Sequence, residues 1–70
     1  MDIQAIRQAV IDRVKTHYPA SNPINAEKFS KGIKFSIDNW FGDAFAWVVK
    51  QEFNLNETEY EEARKELFYD

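Results

Sequence analysis

The sequence predicts an all-α protein, a small compact bundle of three main helices at residues 2–18, 38–54 and 57–68. Two observations predict this class. Apolar residues recur at steps of three and four through long segments, and the 70 residues include only two glycines and two prolines. Two Trp, three Tyr and six Phe side chains provide more apolar surface than disordered chains contain. We therefore expect a single folded domain over residues 1–70.

The first predicted helix carries one apolar stripe at helical spacing. Its members are Ile3, Ile6, Val10, Val14 and His17. Asp2 is the expected N-cap, and Pro19 ends the helix because the residue before a proline avoids the α conformation. The sole histidine, His17, falls on the stripe, so we interpret it as a structural residue rather than a catalytic base.

Residues 26–37 contain weaker patterns, and two interpretations stay open. Asn25 is a candidate cap for a short helical turn at residues 26–31, which Gly32 would end in a left-handed conformation. Residues 33–38 then alternate apolar and polar side chains, which is the period of a β-strand. Because a single short strand has no evident partner, we favour an extended connector, with a minor β-hairpin near residues 26–37 as the alternative.

The third segment, residues 38–54, is apolar around about two thirds of its circumference, which is typical of a helix packed from more than one side. Ser36 or Asp38 is the expected N-cap. Gly42 lies within this segment, where glycine lowers helix stability by up to about 1 kcal/mol relative to alanine. We infer either that Gly42 permits a close backbone approach or that the helix begins later, with Asp43 as its cap.

The last predicted helix begins with a capping box. Asn56 and Glu59 have the required spacing, and the helix is expected to run from residue 57 to about residue 68. Its inner stripe is narrow, consisting of Tyr60, Ala63 and Leu67. We therefore expect this helix at the periphery of the domain, packed by one side only.

Charge is distributed unevenly along the chain, whose formal net charge is −3. Residues 1–50 contain seven Lys or Arg against five Asp or Glu, whereas residues 51–70 contain two against seven. The acidic part is most simply a solvated helix face, and an acidic DNA mimic is a less favoured interpretation. The basic side chains Lys28, Lys31 and Lys34, interleaved with Phe29 and Phe35, form the alternative candidate site, for nucleic acid.

Two tryptophans define the candidate partner-binding site. Trp40 and Trp47 lie two helical turns apart and project within about 20° of each other, where the apolar arc meets the polar strip. Trp is enriched at interface hot spots, so we predict a partner or dimer contact that also involves Phe41 and Lys50. The simpler alternative is that both rings cover the core against the first helix.

No catalytic, cofactor-binding or metal-binding motif is recognisable, and the chain contains no cysteine. Its glutamates lack the glycine and the mixed Asp and Asn ligands of an EF-hand loop. The longest uncharged apolar stretch, residues 44–49, is far shorter than the roughly 20 residues that span a bilayer. Charged side chains interrupt residues 1–14, unlike the apolar region of a secretory signal. We therefore expect a cytoplasmic, non-enzymatic protein without cofactors.

These observations favour a small binding or regulatory module, of bacterial or phage type, that acts through protein–protein contact. Domains this short usually need extra stabilisation from a disulfide, a metal or association. The expected partner is therefore another protein or a second copy of the chain, as a homodimer. Nucleic acid is a less favoured partner, and no membrane association is expected.

Overall fold

The computed structural model describes residues 1–69, which form four α-helices and a minor two-stranded sheet. The helices are α1 (Ile3–His17), α2 (Pro23–Ser30), α3 (Trp40–Gln51) and α4 (Glu57–Leu67), and the strands are β1 (Phe35–Ser36) and β2 (Phe68–Tyr69). The mainly helical class is confirmed. The predicted bundle of three helices is not confirmed, because a fourth helix and a small sheet also contribute to the domain.

Helix α1 packs mainly against α3 and supplies four buried side chains to the core. They are Ile6, Val10, Ile11 and Val14. As predicted, Asp2 is the N-cap, and its carboxylate accepts a hydrogen bond from the backbone N–H of Ala5 at 3.1 Å. The buried stripe ends at Val14, so His17 in the last turn is exposed. The interpretation of His17 as part of the buried stripe is therefore wrong.

Helix α2 is longer than the predicted turn at residues 26–31. Asn22 rather than Asn25 is its N-cap, and Pro23 occupies the first helical position. A proline is tolerated there because the first N–H of a helix has no acceptor within the helix. Gly32 follows the helix with a φ of +93°, the left-handed conformation expected of a residue that ends a helix.

The extended segment after α2 pairs with the end of the described chain. Strand β1 runs parallel to β2, with Phe35 opposite Phe68 and Ser36 opposite Tyr69. The alternative of a β-hairpin near residues 26–37 is therefore wrong. The strand partner comes from the residues directly after α4, which no local sequence pattern indicates.

Helix α3 supplies six buried residues, more than any other helix among residues 1–69, and packs mainly against α1. Its N-cap is Asn39, whose side-chain oxygen accepts hydrogen bonds from the N–H groups of Phe41 and Gly42 at 2.9 and 3.3 Å. The predicted caps Ser36, Asp38 and Asp43 are not used. Gly42 is buried against the backbone of residue 37, so the glycine permits a close approach and does not mark a later start.

The C-terminal end of α3 comes three residues before the predicted one. The backbone N–H groups of Glu52 and Phe53 both donate to the carbonyl of Val48, four and five residues earlier, so the regular α-helical hydrogen-bond pattern ends here. Asn54 then adopts a φ of +49°, a left-handed conformation that asparagine tolerates better than most residues. This local reversal ends the helix although the apolar pattern continues.

Helix α4 begins with the predicted capping box. The side chain of Asn56 accepts from the N–H of Glu59 at 2.9 Å, and the carboxylate of Glu59 accepts from the N–H of Asn56 at 3.2 Å. Ala63 and Leu67 are buried and Tyr60 is half-buried, which confirms the narrow inner stripe. The helix ends at Leu67, where the chain becomes β2.

Replacement of Asn56 by alanine is expected to lower the free energy of unfolding by about 1 kcal/mol, because the backbone N–H of Glu59 loses its side-chain acceptor. Urea denaturation followed by circular dichroism measures the change. Thr58→Ala is the matched control, since Thr58 is exposed in the same turn, and it should alter stability by less than about 0.5 kcal/mol. Equal effects of the two substitutions would contradict a stabilising capping box.

A cluster of phenylalanine rings completes the core beside the aliphatic side chains of α1. The ring of Phe29 lies 5.0 to 6.0 Å, centroid to centroid, from the rings of Phe35, Phe41 and Phe68. Phe45 joins the cluster through Phe68 at 5.1 Å. These contacts link α2, β1, α3 and β2. Aromatic packing therefore holds the segment of residues 26–37, for which the sequence left two interpretations open, against the rest of the domain.

Candidate interaction surface

The outward side of α3 presents four exposed side chains at steps of three and four residues. We name this surface the α3 face, and it consists of Trp40, Asp43, Trp47 and Lys50. The two tryptophans are 43% and 40% exposed, which is high for so large an apolar side chain. Since the opposite side of α3 is buried in the core, the helix orients this face toward the outside.

Helix α1 and its C-cap residue Tyr18 contact both tryptophan rings from one side. The ring of Tyr18 stacks on Trp40 with centroids 6.1 Å apart and an angle of 21° between the planes. The guanidinium carbon of Arg13 lies 3.5 Å from the ring centroid of Trp47, in a cation–π contact. Each ring therefore packs against the first helix or its C-cap residue, as in the simpler alternative, and remains partly exposed.

Phe41 does not belong to the α3 face. It is only 3% exposed, and its ring lies 5.2 Å from that of Phe35 and 5.0 Å from that of Phe29. One residue along a helix rotates the side chain by about 100°, which turns Phe41 from the outward side to the core. Its prediction as a partner-binding residue is corrected on this ground.

Shallow grooves border the α3 face, and one of about 280 Å³ is lined by Trp40 and Asp43. Trp47 lines a groove of about 290 Å³ together with Arg13 and His17 of α1. Lys50 lines a third groove, of about 450 Å³, whose apolar wall includes Leu55 and Tyr60. The face is thus continuous with concave surface on both sides, toward α1 and toward α4.

The charged members of the α3 face make no ion pair with any of residues 1–69. Asp43 and Lys50 are seven residues apart on one side of α3, and both are exposed. The described ion pairs lie elsewhere, between Lys31 and Glu27 and between Arg64 and Glu61. One carboxylate and one ammonium group on this face therefore have no counter-charge within the described part of the chain.

The basic segment is used largely within the domain. The ammonium group of Lys31 pairs with Glu27 at 2.9 Å, and that of Lys34 donates to the backbone carbonyl of Lys65 at 2.8 Å. Lys28 is exposed. Phe29 is buried and Phe35 is half-buried. The aromatic rings predicted to stack on bases therefore face the core, which favours a structural role for this segment.

Acidic side chains occupy the outer side of α4. Glu57, Glu61, Glu62 and Glu66 are exposed, as expected for a solvated acidic face. Among residues 1–69, no group of three or more His, Asp or Glu side chains is placed to hold a metal ion. Within the same range, no helix has both the length and the apolar character needed to cross a bilayer.

The fold and the α3 face define a small, mainly helical domain with an outward-facing aromatic helix. Comparison of the chain with protein-family models, curated protein sequences and solved structures finds no match.

Proposed function

We propose that this protein is a non-enzymatic binding module that acts through protein–protein contact at the α3 face. The observation that carries the proposal is the pair of partly exposed tryptophans, Trp40 and Trp47, on one side of a helix whose other side is buried. Tryptophan is among the residue types that contribute most to binding free energy at protein interfaces.

Contacts with α1 make these tryptophans suitable for binding. Tyr18 and Arg13 each cover one side of a ring, which restricts the side-chain conformations before any partner arrives. A restricted side chain loses less conformational entropy on association than a free one. Helix α1 therefore prepares the outer edges of both rings for contact.

The charges of the α3 face favour a protein over a nucleic acid as the partner. Asp43 lies between the tryptophans and Lys50 lies beyond Trp47 with the opposite charge, an arrangement that orients a partner by charge complementarity. Nucleic-acid sites instead concentrate positive charge. Residues 51–70, which carry an excess of five negative charges when seven acidic residues are set against two basic ones, oppose binding of a polyanion.

Photocrosslinking tests the proposed function. A benzophenone amino acid replaces Trp47 in the full chain, produced in cells of the source organism, and the same amino acid replaces Lys28 as a control on the exposed side of α2. We expect protein adducts from position 47 in clear excess over position 28, because only the former lies on the binding surface. Adducts of equal, low yield at both positions would contradict the proposal.

A further inference from the structure

We propose that a second copy of this chain binds the α3 face, with the two α3 helices packed antiparallel about a two-fold axis near residue 45. The inference rests on the proposed function, since it names the partner of the same surface. It follows from the order and spacing of the four exposed side chains.

The residue spacing of the α3 face is symmetric. Its members are separated by three, four and three residues, which is the pattern of the contact seam between paired helices. Reversing one helix about residue 45 places Lys50 of one copy opposite Trp40 of the other, and Trp47 opposite Asp43. Each copy therefore contributes the same surface to the interface, as two-fold symmetry requires.

The side chains that meet in this arrangement are chemically complementary. At 1.5 Å of rise per residue, Lys50 of one copy lies about 4.5 Å along the helix axis from Asp43 of the other, within reach of its long side chain. Its aliphatic stem then covers the outer edge of Trp40, and its ammonium group approaches the carboxylate. Symmetry produces each contact twice.

The single chain leaves these groups available. Asp43 and Lys50 form no ion pair with residues 1–69, and α1 covers only one side of each tryptophan ring. Pairing of two copies supplies a counter-charge to both charged groups and covers the outer ring edges. It also adds stabilisation by association, which small domains without disulfides commonly use.

Charge reversal tests the pairing. Light scattering and sedimentation should show the unaltered chain as a dimer across micromolar to millimolar concentrations. Asp43→Lys or Lys50→Asp alone should raise the dissociation constant at least about tenfold, because each change sets like charges against one another. An equimolar mixture of the two variants should recover the dimer, since every cross-contact then joins a lysine to an aspartate.

Two controls separate this charge pairing from loss of folding. The double variant Asp43→Lys/Lys50→Asp should dimerise as the unaltered chain does, and Lys28→Asp, outside the face, should leave the dimer unchanged. A monomeric unaltered chain, or a mixture of single variants that stays monomeric, would overturn the inference. If the unaltered chain is monomeric while the position-47 crosslinker captures a different protein, only the homodimer fails and the proposed function stands.

Discussion

Replacement of Gly42 by alanine is expected to lower the free energy of unfolding by at least about 3 kcal/mol, the upper part of the usual range for overpacking. A Cβ atom at this position would overlap the backbone carbonyl of Ile37. Alanine favours a helix over glycine by only about 1 kcal/mol, so the steric overlap decides the sign. The overlap involves backbone on both sides, and no side-chain rotation relieves it. Urea denaturation followed by far-ultraviolet circular dichroism measures the loss.

Gly32→Ala is the matched control for this prediction. Gly32 has a positive φ, but a Cβ there would meet only the end of the Arg7 side chain, at 3.4 Å. The expected loss is therefore the conformational penalty alone, about 1–2 kcal/mol. If Gly42→Ala proves no more destabilising than Gly32→Ala, the close approach between α3 and the segment before it is not rigid.

Phe29→Ala is expected to lower the free energy of unfolding by about 3–5 kcal/mol, as for other large aromatic side chains in cores. Phe29 is 1% exposed, and its ring contacts Phe35, Phe41 and Phe68. Removing it opens a cavity where α2, α3 and both strands meet. A domain of this size rarely has more than about 3–5 kcal/mol of stability, so much of the variant population should be unfolded without denaturant.

The control for Phe29→Ala lies on the same helix. Ile24 is 56% exposed, and Ile24→Ala should change the free energy of unfolding by less than about 0.5 kcal/mol. Near-ultraviolet circular dichroism provides a second measurement, because the aromatic cluster should lose its ordered signal in Phe29→Ala alone. A cooperative transition of Phe29→Ala close to that of the unaltered chain would show that α2 contributes little to the core.

The same helix carries both the stability and the proposed function. Phe45 and Val48 of α3 are fully buried, while Trp40 and Trp47 of the same helix face outward. Substitutions on the α3 face should therefore alter association with little effect on folding, and substitutions on its inner side should do the reverse. Charge reversals at Asp43 and Lys50 are preferable to changes of the tryptophans for this reason, since the tryptophans also contact α1.

Sequence patterns predicted the helices whose signals are local. The stripe of α1 from Ile6 to Val14, its cap at Asp2, and the capping box of Asn56 and Glu59 each depend on residues of a single helix and its cap, and each lies where it was expected. The predicted start of α2 came too late because Asn25 was chosen as the cap, although Pro23 is favourable at the first position of a helix.

The candidate site was predicted in part. Trp40, Trp47 and Lys50 lie on one exposed surface, but helical projection does not distinguish a ring that faces solvent from one that faces a neighbouring helix. Phe41 was predicted as a partner-binding residue because α3 is apolar around about two thirds of its circumference. The sequence therefore does not show which apolar side chains are buried and which are exposed.

The sequence by itself determined the mainly helical class, the amphipathic character of α1 and α4 and the largely apolar character of α3, because these depend on side-chain periodicity and caps along the chain. Only the tertiary structure decided that β1 pairs with β2 and that Gly42 lies against residue 37. It also decided that Arg13 and Tyr18 hold the two tryptophans. These contacts join separate segments, and which surfaces meet depends on how the helices and strands pack together.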